Sequence, residues 1–228
     1  MPRPQKVERE IGFPITELVS RRARRAAGGT LLASRLALSH GIACNAAGGR
    51  HARRAHGAGF CTFNDVAVAA LDLLTDRPQA RILVIDLDVH QGDGTADILA
   101  DEPRVFTLSI HAEKNYPVRK VTSSLDIALP DGTGDSEYLE QLAGTLLRLS
   151  DRWDMVFYNA GVDPHADDRL GRLALSDEGL RQRDRMVIGH FRGLGAPVCG
   201  VIGGGYLRDI ATLAARHAIL FEVASEFV

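Results

Sequence analysis

Apolar residues follow two alternating patterns along the chain. Short runs rich in branched apolar residues occur at 81–86, 105–110, 155–159 and 197–202, with a shorter candidate at 126–129. Helical spacing of apolar residues occupies 17–39, 64–74, 94–100, 136–149, 177–192 and 208–225. Short apolar runs are typical of strands buried on both faces, and their alternation with helices is typical of βαβ units. The pattern therefore predicts an α/β fold of three layers, in which a mostly parallel central sheet carries helices on both faces.

Composition changes this picture little. The 228 residues are 45% hydrophobic and 25% charged, with a formal net charge of −2. This balance gives no reason to expect direct nucleic-acid binding through bulk charge, and we interpret the basic run at 21–25 as a solvated helix face. The chain contains no repeat, low-complexity tract or Pro/Ser-rich linker. We therefore expect residues 1–228 to form a single domain.

The N-terminal residues and the cysteines indicate the cellular compartment. Residues 1–6 contain no apolar signal core, and no segment reaches the length of a transmembrane helix, so we expect no membrane association. The three cysteines, Cys44, Cys61 and Cys199, are odd in number and have apolar or glycine neighbours. They suit reduced thiols better than a disulfide framework. A cytoplasmic protein is the simplest prediction.

The run that begins at Ile82 leads directly into candidate chemistry. Four branched apolar residues, 82–85, are followed by Asp86, Asp88 and His90. Alternation along a strand places these three side chains on one face of its exit. A carboxylate and an imidazole two residues apart can reach one divalent ion. The sequence therefore points to a metal enzyme.

The other predicted strands also end in polar groups. In open α/β sheets, ligands bind beyond the carboxyl ends of the strands. The four main strands are followed by Asp88 and His90, by His111, by Asp163, and by the glycines that precede Tyr206. This convergence predicts a functional site at that edge of the sheet.

Asp88, His90 and Asp163 would provide one nitrogen and two oxygen ligands. Three protein ligands leave a coordination position open, which is the catalytic arrangement of zinc, although such a set also accommodates other divalent metals. A structural interpretation remains open for each. Asp88 and His90 could cap the following helix, and Asp163 could form a turn before Pro164.

The glycine run at 203–205 places Tyr206 at the sheet edge. Glycines permit a sharp turn and close backbone packing. A phenol there could donate a hydrogen bond to a developing oxyanion. Glycine-rich turns also bind phosphate, but the Lys-Ser/Thr pair of a P-loop does not follow.

Four motifs in order give the chain a family resemblance. They are Gly-Phe-Cys at 59–61 with Asn64-Asp65, Asp-Leu-Asp-Val-His-Gln-Gly at 86–92, Ala-Gly-Val-Asp-Pro at 160–164 and Gly-Gly-Gly-Tyr at 203–206. From about residue 11 to its end, the chain resembles the histone deacetylase superfamily, with bacterial and class IV-like members as the closest match. The resemblance implies an arginase/deacetylase-like fold and zinc-dependent hydrolysis of acyl-lysine, in a peptide or protein, or of related acyl-amines such as acyl-polyamines.

The resemblance also implies roles for individual residues. It makes Asp88, His90 and Asp163 the zinc ligands and Tyr206 the donor to the transition state. The implied substrate channel is lined by Gly59 and Phe60, with Tyr116 on the opposite wall. Backbone carbonyls around Asp86, Asp88, His90 and Ser109 would hold a structural potassium ion.

The chain departs from the family pattern in two places. Members typically carry an adjacent His-His pair, but here the loop reads Arg50-His51-Ala52 and is one residue shorter. His51 is the candidate general base, and Asp86 and Asp93 are the carboxylates that would polarise the two histidines. Members also usually have a further N-terminal segment, which we expect this chain to lack, so pairing with a second copy at an exposed sheet edge is plausible.

These departures leave two alternative functions open. One is a catalytically impaired protein that binds acyl-amines or partners on the same scaffold, with His56, otherwise a surface loop histidine, as a conceivable substitute base. The other is a two-metal ureohydrolase, which needs further carboxylates. That class typically has an aspartate two residues after the histidine, where this chain has Gly92.

Overall fold

The computed structural model describes residues 4–228 of the chain. Its helices are α1 Pro4–Ile11, α2 Glu17–His40, α3 Asp65–Asp76, α4 Asp93–Leu99, α5 Asp135–Arg148, α6 Asp177–Gly193 and α7 Ile210–Ser225. Its strands are β1 Ile42–Asn45, β2 Ile82–Asp86, β3 Val105–Ala112, β4 Leu125–Leu129, β5 Met155–Asn159 and β6 Val198–Val201.

The six strands form one parallel sheet in the order β1-β6-β5-β2-β3-β4. β2 is central, with Asp86 in register with Ser109 of β3 on one side and Asn159 of β5 on the other. Every residue of β2 is buried, as its apolar sequence predicts.

The two faces of β2 contribute to two different cores. Ile82 and Val84 pack in the cluster that contains residues of α2, α3 and α4. Leu83 and Ile85 pack in the larger cluster with residues of α5, α6 and α7. This alternation follows from the two-residue repeat of a strand and confirms the predicted three-layer α/β architecture.

Two elements were not anticipated from the sequence. β1 has only four residues, lies at the sheet edge and is largely half-buried, and its apolar run of three residues is too short to indicate a strand. α1 is short and predominantly polar. The short strand predicted at 126–129 is confirmed as β4.

Helix boundaries follow from side-chain caps. Asn64 Oδ1 accepts the Ala67 amide at the start of α3, and Ser176 Oγ accepts the Gly179 amide at the start of α6. Such caps satisfy backbone donors that have no partner within the helix. Within residues 4–228, no helix combines the length and apolar character that a bilayer crossing requires.

Candidate active site

Asp88, His90 and Asp163 lie together at the carboxyl edge of the sheet. Asp88 and His90 are in the loop after β2, and Asp163 is in the loop after β5. One potential ligand atom from each residue lies within 4.8 Å of the others. His90 Nδ1 is 2.9 Å from Asp88 Oδ1 and 3.1 Å from Asp163 Oδ2. The three residues singled out from the sequence therefore form a group that could hold a metal ion.

Backbone amides hold the two carboxylates in place. The Gly204 amide donates to Asp88 Oδ2 at 2.7 Å, and the Val89 amide donates to Asp163 Oδ1 at 2.8 Å. A Cβ added at Gly204 would overlap Asp163 Oδ2, so glycine is required for this close approach. Both carboxylates are buried. Two buried carboxylates converging with one imidazole match the ligand set of a divalent ion.

The pKa values of the three residues in this group are shifted in different directions. Burial lowers the pKa of His90, but hydrogen bonds to Asp163 and Asp88 outweigh it and raise this pKa to about 10. Burial and the charge of Asp88 raise the pKa of Asp163 to about 7. Burial also opposes ionisation of Asp88, yet its bond to His90 leaves the pKa below the usual value. At neutral pH, a metal ion must therefore displace the proton of His90.

Metal affinity is expected to rise with pH. His90 must lose its proton to act as a ligand, so below a pKa of about 10 affinity should increase about tenfold per pH unit. Below about pH 7, Asp163 also binds a proton, and the dependence should steepen. Zinc dissociation constants from chelator competition at several pH values between 6 and 9 would measure this slope. An affinity independent of pH would contradict the prediction that His90 is a metal ligand.

His51 is fixed by Asp86. Its Nε2 lies 2.7 Å from Asp86 Oδ2, and the Asn159 amide nitrogen lies 3.2 Å from the same Nε2 and donates to Asp86 Oδ1 at 3.0 Å. Burial lowers the pKa of His51, but the charge and hydrogen bond of Asp86 raise it well above its ordinary value. His51 lines the same cavity as Asp88 and His90. The arrangement provides one basic, oriented imidazole beside the metal-binding group.

Asp93 contacts an arginine instead of a histidine. Arg53 Nε donates to Asp93 Oδ2 at 2.8 Å, and a terminal guanidinium nitrogen lies 2.6 Å from the same oxygen. With only one histidine in the loop, one of the two carboxylates is expected to lack a histidine partner, and Asp93 is the one that does. His56 is exposed and does not line the cavity. Among residues 4–228, His51 is the only histidine besides His90 that lines the cavity.

Tyr206 extends into the cavity next to His90. The two ring centroids are 5.9 Å apart in an edge-on arrangement. The Tyr206 amide donates to Asp168 Oδ2 at 2.7 Å, and Asp168 also accepts the amides of Leu170 and Gly171. Burial, followed by the charges of Asp88 and Asp163, raises the pKa of the phenol. Tyr206 is therefore protonated at neutral pH and can donate a hydrogen bond.

The cavity above the metal-binding group has a volume of about 520 Å³. Gly59, Phe60 and Tyr116, the residues expected in the channel, all line it. Phe60 has φ +64°, stacks on Phe13 at 6.4 Å and lies 6.4 Å from Tyr206. The two aromatic side chains are about half exposed, Phe60 at 48% and Tyr116 at 49%, as residues at a cavity mouth would be.

Other cavity residues were not identified from the sequence. They are Glu10, Ile11 and Gly12 from the end of α1, and Lys114, Leu170 and Arg172 from loops. None belongs to a recognisable motif, and only the fold brings them to the mouth. Conversely, His111 follows the pattern of strand ends but lies buried, with Nδ1 3.0 Å from Ser109 Oγ, and does not line the cavity.

A family comparison follows from this geometry. The histone deacetylase domain, as a family model, matches residues 4–221. The chain belongs to the histone deacetylase family. An uncharacterised protein of Picosynechococcus sp. is 48% identical over 97% of this chain and 75% of its own length. Histone deacetylase 2 of Arabidopsis thaliana is 34% identical over 84% of this chain, which spans about half, 51%, of that relative.

Solved structures of this deacetylase family share the fold. A histone deacetylase homologue complexed with SAHA superposes with a TM-score of 0.82 at 27% identity, covering 97% of this chain and 64% of its own. An acetylpolyamine aminohydrolase from Burkholderia pseudomallei gives a TM-score of 0.76 at 25% identity, covering 91% of this chain and 63% of its own. The chain is thus shorter than the family members to which it is similar.

Proposed function

We propose that the protein is a zinc-dependent hydrolase that removes acetyl or other acyl groups from lysine side chains or related acyl-amines, including acyl-polyamines. The carrying observation is that Asp88, His90 and Asp163 converge in a cavity that also presents His51 and Tyr206. Membership of the histone deacetylase family and the similarity to an acetylpolyamine aminohydrolase support this reaction class.

The three converging residues would hold the zinc ion. When bound, zinc would supply Lewis-acid chemistry by polarising an acyl carbonyl and lowering the pKa of water. The backbone amides on Asp88 and Asp163 fix these ligands before any metal arrives. Asp86 of β2 and Ser109 of β3 are paired in register, which supports a second proposal, a structural potassium ion held by backbone carbonyls around them, Asp88 and His90.

His51 acts as the general base in this proposal. Its Nε2 is engaged by Asp86, so Nδ1 is the nitrogen available to accept a proton from the attacking water. The same proton can then pass to the leaving amine nitrogen as the C–N bond breaks. Asp86 orients the ring and raises the pKa of His51 well above its ordinary value, so the ring must first lose a proton to act as a base. The positive charge of a bound zinc ion would favour that neutral form.

Tyr206 and the cavity walls complete the proposal. The protonated phenol donates a hydrogen bond to the oxygen on which negative charge develops. The contact of its backbone amide with Asp168 anchors the segment that carries it. Phe60 and Tyr116 at the mouth present apolar surface to the stem of an acylated amine.

Tyr206→Phe is expected to lower kcat by about 100- to 1000-fold, which is typical of losing one oxyanion donor. Zinc content should be unchanged because the phenol is not in the ligand group. Acetate release from an acetyl-lysine peptide measures the loss. Tyr138→Phe is the matched control, since Tyr138 is buried in the core away from the cavity. Equal rates for the Tyr206 and Tyr138 variants would contradict the proposed donor.

A second candidate function is a binding protein that retains the scaffold but turns over poorly. The observation that favours it is the ion pair between Arg53 and Asp93. In this pair, arginine contacts the carboxylate that a second histidine would otherwise contact. Binding of zinc and of an acyl-lysine peptide, without turnover above that of a metal-ligand variant, would establish this function and exclude the first.

The structure does not favour a two-metal ureohydrolase at position 92, where that class typically has an aspartate. A Cβ added at Gly92 would lie 2.5 Å from Asp86 Oδ2, so a larger residue there would require rearrangement. Asp86 itself is engaged by His51 and Asn159. Among residues 4–228, the metal-ligating groups form a single cluster, which supports a mononuclear site.

A further inference from the structure

Arg50 lies at the boundary between the cavity of the candidate active site and neighbouring cavities. It directly precedes His51, and its backbone amide donates to Asp65 Oδ1 at 3.0 Å. The residue lines the catalytic cavity and also two neighbouring cavities bordered by α2. The backbone at this position is therefore held in place, while its side chain borders three spaces at once.

The Arg50 guanidinium has no anionic partner within residues 4–228, although the side chain is half-buried. Its positive charge nevertheless affects the pKa values of nearby groups in the site. Burial raises the pKa of Cys61 and of Tyr206, and the positive charge of Arg50 is among the effects that oppose both shifts. A guanidinium so placed favours an anion, because arginine pairs with carboxylates through two parallel hydrogen bonds.

One neighbouring cavity concentrates positive charge further. It is a groove of about 460 Å³ lined by Arg21, Arg22, Arg25 and Arg50, with no carboxylate in its lining. We call it the basic groove. The chain as a whole carries a formal net charge of −2, so the groove is a local concentration of one sign. Such a surface attracts anions and raises their local concentration.

We propose that Arg50 and the basic groove bind the distal carboxylate of an acyl group, so that amides of dicarboxylic acids, such as succinyl- or glutaryl-lysine, are preferred substrates. This inference rests on the proposed function. The acyl carbonyl must reach the metal-binding group, and Arg50 lines the same cavity as that group and His51, so the acyl chain can extend toward Arg50. The aromatic mouth of Phe60 and Tyr116 receives the lysine stem instead.

The reaction is an ordinary hydrolysis and needs no further reactant. Water adds its oxygen to the acyl carbon, the C–N bond breaks, and the amine nitrogen receives a proton. The products are the free lysine amine and a dicarboxylate. No group is oxidised or reduced.

Succinyl- and succinamoyl-lysine peptides test the proposal, because they differ only in the charge of the distal group. With zinc-loaded protein, kcat/KM for the succinyl peptide should exceed that for the succinamoyl peptide. Removing one charged hydrogen bond costs about tenfold or more, so this ratio should fall about 10- to 100-fold in Arg50→Gln. Arg22→Gln, an exposed groove variant, should lower it in the same direction and guards against misfolding of the first. Glutaryl and glutaramoyl peptides repeat the comparison at greater length.

Arg24→Gln is the matched control, because Arg24 is exposed on α2 but does not line the groove.

An acetyl-lysine peptide in the same assay separates the two proposals. Turnover of acetyl-lysine with no preference for either charged acyl group would overturn the inference and leave the proposed function standing. If no peptide is hydrolysed, dissociation constants for the same pairs decide. A charge preference that Arg50→Gln abolishes would support the carboxylate site. Equal affinities, or competition by inorganic phosphate alone, would overturn it.

Discussion

Replacing Asp88 with asparagine is expected to abolish hydrolysis and to weaken zinc binding by more than about 100-fold. Changes to residues that merely support metal ligands already cost about 10- to 100-fold in affinity, and Asp88 is proposed as a ligand itself. The substitution removes the negative charge of a buried side chain and alters the bond to His90. Metal content after dialysis and acetate release from an acetyl-lysine peptide measure the two effects.

Asp76→Asn provides the matched control for this prediction. Asp76 is exposed at the end of α3, so the same chemical change is made far from the site. Circular dichroism should show that both variants fold. If Asp88→Asn kept a full complement of zinc, or kept the rate of the wild-type protein, the assignment of the metal centre would be wrong.

Replacing His51 with alanine is expected to lower kcat by about 100- to 10,000-fold, the range typical of losing a general acid–base group. Zinc content should be retained, since His51 contacts Asp86 and is not part of the metal-binding group. Among the described residues, the only other imidazole lining the cavity is that of His90, which is proposed as a metal ligand, so little residual base catalysis should remain. Single-turnover acetate release would measure the loss.

His56→Ala distinguishes His51 from the other histidine of this loop. His56 is exposed and lies outside the cavity, so its replacement should leave the rate near that of the wild-type protein. A loss as large as that of His51→Ala would identify His56 as the base after movement of the loop. An unchanged rate in His51→Ala would exclude a role for His51 in proton transfer.

Much of this account could be predicted from local sequence patterns. The buried run of β2 and its neighbours indicates a parallel sheet, and parallel strands end at one edge. Topology alone could therefore bring together Asp88, His90 and Asp163. In the structure, one potential ligand atom of each lies within 4.8 Å of the others. His111 shows the limit of this reasoning. The sequence pattern places it after a strand, but β3 extends to Ala112, so His111 is part of the strand, and its buried side chain contacts Ser109.

The remaining features depend on contacts between distant segments, which no local pattern encodes. Asp93 and Arg53 are 40 positions apart, and only the fold shows that an arginine takes the place expected for a histidine. The end of α1 reaches the cavity mouth although its own sequence is short and polar. Asp168, which anchors the Tyr206 segment through a backbone contact, carries no motif at all.

The most direct test of the central claim is a zinc titration of acetate release from an acetyl-lysine peptide. The mononuclear site proposed here predicts that the rate rises with zinc and saturates at one ion per chain. Saturation at two ions would contradict the mononuclear site. Full zinc binding with no acetate release at any loading would contradict hydrolysis and leave a protein that only binds acyl-amines.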